Sequence, residues 1–307
     1  MNQTDHEAIV TIALMAALAD GQQTADERAK LATMVGSLGM TNLDSAARQI
    51  AAGKLKVADV ARVLSDEEAR RLAHETAVIV CNADGAANDA EQSFLAELRG
   101  ALGLNSATVQ ATEQGASAVA GAAVTGPTAE VRNGPPPADA LDDLILKQAM
   151  LTGALEILPD RLATLAILPL QLRLVYQIGR SHGQQLDVNQ VKDLAGTLGI
   201  GAAAQVMEGV VRKVFGGLAG GMLGGLVGGA TGLAAGAAVT FASTYALGHV
   251  AKQYYAQGRT LSADDLRALF ARFQQEAKVM FPKLQGQIQT QSRSLNLQSV
   301  LATIQGK

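Results

Sequence analysis

The chain has no tryptophan, a single cysteine (Cys81), and only 3% aromatic residues. One cysteine permits no intramolecular disulfide, which points to a reducing compartment. So few rings leave little for base stacking or for a carbohydrate platform. A basic excess is missing as well: 25 Lys and Arg stand against 28 Asp and Glu, for a net charge of −3, so there is no cationic field and nucleic acid is not expected as a partner. The start, MNQTDHEAIVTIALMAALADG, has no basic segment ahead of its apolar run and does not read as a secretory signal. Phosphate-loop, His-Glu-x-x-His and Gly-x-Ser-x-Gly patterns are absent. Gly199-Ile-Gly201 has no strand before it, which removes the dinucleotide reading. His74 lies seven residues before Cys81, about two helical turns away and out of hydrogen-bond reach, so Cys81 reads as a small core residue. No catalytic residue is expected, and the chain reads as non-enzymatic.

Proline is also missing from residues 4–104, where apolar residues recur at helical spacing with little strand signal. Thr4-x-x-Glu7, Thr24-x-x-Glu27 and Ser65-x-x-Glu68 have the form of capping boxes. A shift of sixty-four positions aligns Ala19-Asp20-Gly21 with Ala83-Asp84-Gly85, Glu27 with Glu91, Leu31-Ala32 with Leu95-Ala96, and Gly36 with Gly100. Each repeat reads as a helix, an Ala-Asp-Gly turn that breaks it, and a second helix with an acid in its first turn.

The doubled Ala-Asp-Gly-x5-Glu pattern, following IALMAALADG in one copy and AVIVCNADG in the other, resembles the TerB family of tellurite-resistance proteins over about residues 5–104. The resemblance implies an all-α, pseudo-two-fold domain. It also implies an acidic cluster, Asp20, Glu27, Asp84 and Glu91, able to hold a divalent cation. Oxygen-only ligands suit Ca²⁺ or Mg²⁺. Capping through Thr24 and Asn88 accounts for Glu27 and Glu91 without a metal and is the stronger of the two readings.

After Leu104 the pattern dissolves into small, polar and proline-containing sequence, and residues 105–140 read as a linker. Helical periodicity resumes over 141–282, and residues 283–307 form a polar, Gln-rich tail with the spacing of a weak amphipathic helix. Between Lys213 and Lys252 lie thirty-eight residues without Asp, Glu, Lys or Arg. Within and just beyond GGLAGGMLGGLVGG, the residues Gly216, Gly217, Gly220, Gly221, Gly224, Gly225, Gly228, Gly229, Gly232 and Gly236 line one helical face. Glycine costs about 0.8–1 kcal/mol per helical position relative to alanine, so this strip needs close helix contact or lipid to compensate. A glycine-zipper hairpin that turns near Gly228–Gly232, inserts into a bilayer and makes homo-oligomers fits the length and the flanking Arg212, Lys213 and Lys252. The alternative is a soluble self-assembling scaffold whose glycine face meets only protein. At the exit of the apolar stretch, His249, Lys252, Tyr254 and Tyr255 have the composition of an interfacial anchor, and a ligand or catalytic role for His249 stays open.

Over about residues 141–282, PDRLATLAILPLQLRLVYQIGRSHG and TYALGHVAKQYYAQGR resemble the YcjF-type inner-membrane family. The resemblance implies membrane association without established catalysis. Together these readings give an expected all-α protein of the bacterial inner membrane. A cytoplasmic TerB-like domain (1–104), a linker and a membrane-associated helical domain would act as an adaptor with an unidentified protein partner, in metal or envelope stress.

Overall fold

The computed structural model describes residues 2–19, 46, 49–50, 52–83, 86–104, 106–120, 138–158, 161–200, 232–296, 299–300 and 302. Among them every regular element is helical. The chain divides into two compact units, whose described residues fall within Met1–Gly121 and within Ala122–Gly201 plus Gly220–Lys307.

The first unit contains α1 (Gln3–Ala17), α2 (Val57–Ala61), α3 (Glu67–Cys81), α4 (Asp89–Leu102) and α5 (Ser106–Ala120). Helices α1 and α3 each have 15 residues, and their first residues are 67 − 3 = 64 apart, so the sequence repeat extends backward through a whole helix. The two pack against each other. Their buried faces are built from Ile9, Ile12 and Ala13 on one side and Ala73, Ala77 and Val80 on the other, and Cys81 is fully buried with them. Alanines at an interface let two backbones approach closely, which substitutes for the aromatic bulk this sequence lacks.

Two expected caps are relocated. The α1 box is formed by Asn2 and Asp5, whose side chains each accept from the other's backbone amide, so Thr4 and Glu7 lie inside the helix. The N-cap of α3 is Asp66, which accepts from Ala69 N. Ser65 is drawn to a tertiary partner instead: its N–H and its hydroxyl each donate at 2.8 Å to the Asp5 carboxylate. Thr24 and Glu27 fall outside the described residues. A third difference concerns the linker. Residues 106–120, read as part of it, form α5, with Val109, Ala116 and Val119 buried.

The second unit contains α6 (Ala138–Ile157), a 3₁₀ turn at Arg161–Ala166, α7 (Ile167–Ser181), α8 (Val188–Thr197), α9 (Gly232–Ala256) and α10 (Ala263–Ser294). Helix α9 is its centre. It runs antiparallel to α6, as the pairs Asp142–Lys252 and Thr152–Thr244 show, and antiparallel to α10, as the ring pairs Phe241–Phe281 and His249–Phe273 show. Residues 241–248 of α9 are all buried. Glycine makes the close crossings possible. A Cβ on Gly153 would meet Ala237 O and Phe241 Cβ at 3.3 Å, and one on Gly248 would meet Ile145 at 2.7 and 2.8 Å. At the turns, α7 ends on Gly183 and α9 on Gly258, both at positive φ, and each is followed by a capping box, Asp187/Gln190 and Ser262/Asp265. Pro169 sits in the first turn of α7, where its missing N–H costs nothing. Helix α10 passes through exposed Pro282 and continues to Ser294, because Ile288 beyond it is fully buried and reaches Gly153. The polar tail expected from residue 283 therefore begins within the bundle.

Asp5 is fully buried and its carboxylate accepts from Asn2 N, Ser65 N and Ser65 Oγ. Burial opposes its charge, but the hydrogen bonds from Asn2 and Ser65 together outweigh burial and hold the carboxyl below its usual range. A depressed folded-state pKa gives stability that is present above the ordinary aspartate value of about 3.9 and lost as pH falls through the folded value. Asp5→Ala is expected to cost about 2–3 kcal/mol in denaturant unfolding at pH 7, and the gap to wild type should narrow in acid. A pH-independent gap would contradict this account.

Gly248 and Gly286 form an internal control. An added Cβ strikes branched, fully buried Ile145 at the first and has nothing within 4 Å at the second. Gly248→Ala is expected to lose about 1–3 kcal/mol, whereas Gly286→Ala should gain up to about 1 kcal/mol from helix propensity. Equal melting temperatures for the two variants would show that the α6–α9 crossing is not tightly packed.

Candidate functional site

The second Ala-Asp-Gly turn joins α3 to α4, and the residues on either side of it are pinned by side chains. Asn82 caps the end of α3: its Nδ2 donates to Val78 O at 2.8 Å, while its Oδ1 accepts from Ala87 N at 3.3 Å. Gln92 Nε2 donates to Ala87 O at 2.8 Å. Asn88 then starts α4 with a complete capping box, its Oδ1 accepting from Ala90 N and Glu91 N and its own N–H donating to Glu91 Oε2 at 2.8 Å. These bonds fix both ends of a short loop at the start of a helix, a geometry suited to presenting a ligand or partner contact. Residues 6–114 match the family described as tellurite resistance protein TerB.

The first unit is a TerB-like domain. No curated protein and no solved structure matches the chain.

Within the TerB-like domain, Glu91 is the one of the four expected acids whose surroundings are described. It is buried at the start of α4, and its resolved role is capping. Asp20, Glu27 and Asp84 lie outside the described residues. Among the described residues no cluster of three or more His, Cys, Asp or Glu could hold a metal ion. Asn82 is the residue that the sequence reading passed over. Its signal was its place immediately before Ala-Asp-Gly, where the first repeat has Leu18. A side chain that can donate and accept at once is what a helix end and a loop amide both require.

Gly216, Gly217, Gly220, Gly221, Gly224, Gly225, Gly228 and Gly229 lie outside the described residues. Gly232 and Gly236 belong to α9. Gly236 meets a side chain and not a bare backbone: a Cβ there would lie 3.1 Å from Glu156 Cγ and 3.2 Å from its Oε1. Among the described residues close glycine packing also occurs outside the strip, at Gly153, Gly179 and Gly248.

The four residues expected as an anchor are arranged around the C-terminal half of α9. His249 lies between Tyr245, tilted to it at a ring-centroid distance of 4.3 Å, and Phe273, stacked on it at 4.8 Å, and Arg272 covers Phe273 at 4.5 Å. Its Nδ1 is 3.7 Å from Asp142, and its buried Nε2 has no hydrogen-bond partner. Burial is the main cause that keeps its pKa below the usual range. Lys252 is closer to the same carboxylate, at 2.6 Å. Tyr255 is buried against Gly179 and burial raises its hydroxyl to about 12, while Tyr254 is half-buried beside it. These contacts tie α9 to its own bundle. Among the described residues no helix is long and apolar enough to cross a membrane.

Proposed function

We propose that the protein is a non-enzymatic adaptor in a tellurite-related stress response, with the TerB-like domain as its recognition element and the second helical unit as its carrier. The match of residues 6–114 to TerB carries this reading. The bonds of Asn82 and Asn88, on either side of Asp84-Gly85, support it, because they fix the end of α3 and the start of α4. Ca²⁺ or Mg²⁺ is the proposed ligand of Asp20, Glu27, Asp84 and Glu91, the last sharing its carboxylate with the cap of α4. Such a cation would neutralise converging carboxylates and stabilise the native state. The test combines survival and binding. The full chain, expressed in a tellurite-sensitive bacterial host, should raise survival on tellurite above the empty vector. Purified protein should melt higher in millimolar Ca²⁺ or Mg²⁺, and Asp20→Asn with Asp84→Asn should remove that increment. Survival no better than the vector overturns the stress reading, and an unchanged melting temperature overturns the cation.

A second proposal concerns the uncharged stretch 214–251, whose length and glycine content motivate membrane association and self-association. Residues 232–251 belong to α9, which protein packs on several sides, so the proposal now rests on residues 214–231 and on the likeness to the YcjF-type inner-membrane family. Carbonate-washed membranes should retain the full-length chain, and cross-linking should give a ladder that Gly220→Leu with Gly224→Leu abolishes. Recovery of the wild type in the soluble fraction, without detergent, would favour the scaffold that packs only against protein.

A further inference from the structure

Helix α5 closes the TerB-like domain with little apolar material. Among its described side chains only Val109, Ala116 and Val119 are buried, and its sequence, SATVQATEQGASAVA, contains no Leu, Ile, Met or aromatic residue. What holds it is polar. Glu113 presents one carboxylate oxygen to each of two other helices: Oε1 accepts from His74 Nε2 of α3 at 3.1 Å, and Oε2 accepts from Arg99 Nη1 of α4 at 3.1 Å. His74 is 2% exposed. Beside it, α3 and α5 leave a cavity of about 20 Å³, room for about one water, edged by Arg71, Glu75, Val109 and Thr112. Farther along α5, Ser117 Oγ donates at 3.5 Å to Asn82 Oδ1, the atom that also accepts from the loop amide of Ala87.

We propose that α5 is a releasable strap of the TerB-like domain, clasped by the Glu113 carboxylate shared between His74 and Arg99, and that uptake of a proton by His74 opens it.

The charges around the clasp give the direction. A carboxylate only accepts, so the neutral imidazole donates through Nε2–H, and an added proton goes to Nδ1. Glu113 is already matched by Arg99, so a protonated His74 would be a second cation on a carboxylate whose charge is spent. The other groups facing His74 do not restore the balance: Glu75 is half-exposed on α3, and Arg71 is occupied by Glu67 at 3.3 Å. On α1, the other helix packed against α3, Asp5 is committed to Asn2 and Ser65, and His6 to the Asn2 carbonyl. Burial is the main cause that depresses the His74 pKa, over the opposing pull of Glu113. With α5 undocked His74 meets water and protonates in its ordinary range, so acid favours the open form. The sign follows from linkage: stability of the docked strap is complete above about pH 6.5 and falls as pH falls below it. Opening also removes the Ser117 contact from Asn82, so the strap and the loop that carries Asp84 are coupled. The proposal needs no cation at that loop.

Hydrogen exchange of the full chain, read by mass spectrometry at pH 7.5 and pH 5.5 and corrected for intrinsic exchange, tests it. Amides of residues 107–120 should lose up to about tenfold in protection per pH unit below about 6.5, while amides of α1 keep theirs. His74→Gln retains a donor for Glu113 and does not titrate, so its strap should stay protected at both pH values. Arg99→Gln leaves the Glu113 charge available to a protonated His74, so it should shrink the difference between the two pH values and provides the same test if His74→Gln fails to fold. Glu113→Ala should expose α5 already at pH 7.5. Equal protection of wild-type α5 at both pH values would overturn the proposal. So would simultaneous loss in α1 and α5, an undiminished acid response in the variants that fold, or full protection in Glu113→Ala.

Discussion

The contact between α6 and α9 at Gly153 and Gly248 is the constraint on which the second unit depends. With so few aromatic rings available, a helical core can reach native packing density by bringing backbones together instead of filling the space between them. Gly153 admits Ala237 O and Phe241, and Gly248 admits Ile145 and Leu174. Once α9 sits that deep, α7 and α10 close over it. The most deeply buried ring, Phe241, then tilts against Phe281 at 5.7 Å. The first unit follows the same logic with alanine in place of glycine, at Ala13, Ala73 and Ala77. Small residues fix distance but specify register poorly, because one methyl resembles the next.

Register comes from buried polar groups, each of which costs free energy unless it is bonded. In the second unit Thr152 Oγ1 donates to Thr244 Oγ1 at 2.8 Å and Gln171 Nε2 donates to the same atom at 2.9 Å, while Thr244 donates to Thr240 O. Three helices are thereby keyed at one hydroxyl. Sliding α9 by one turn would leave the buried Gln171 amide without its Thr244 partner. Asp5 has the equivalent position in the first unit, since Asn2 and Ser65 can meet it only when α1 and the segment before α3 are in register. The Glu113 clasp differs in kind: its Arg99 arm is partly exposed and it holds a helix with a thin apolar face, so it can act as a switch where the others are fixed keys.

What was legible in the sequence was what is local and periodic. Helical spacing and the absence of proline gave an all-α first unit, and the 64-residue repeat turned out to include α1 and α3 as well as the turns after them. Caps were harder to place, for a physical reason. Asn2-x-x-Asp5 and Thr4-x-x-Glu7 are overlapping, chemically equivalent boxes, and the winner is the one whose acid also finds Ser65, sixty residues away. Helix α5 was hidden because its buried positions hold Val and Ala, which carry little hydrophobic signal against a polar background. The clasp was hidden for a different reason: His74, Arg99 and Glu113 share no motif and meet only through the fold. The side chain opposite Gly236 was likewise invisible, because Glu156 is eighty residues earlier.

A helix that is apolar on all sides gives the same sequence signal whether lipid or protein surrounds it. For residues 232–256 the surroundings are specific. Gln171 and Thr152 reach Thr244, Lys252 reaches Asp142, and Tyr245 donates to Glu276 at 3.2 Å. Hydrocarbon offers none of these partners, and Ser243, Thr244, Tyr245 and Lys252 are each placed where a neighbouring helix of the same chain answers them. Charge inside the unit follows suit, with His249 held between two rings beside Asp142 rather than presented at a wet boundary. The composition that suggested a membrane arm therefore serves, in α9, to let one helix be enclosed by several others, and the glycines within it mark where those others come closest.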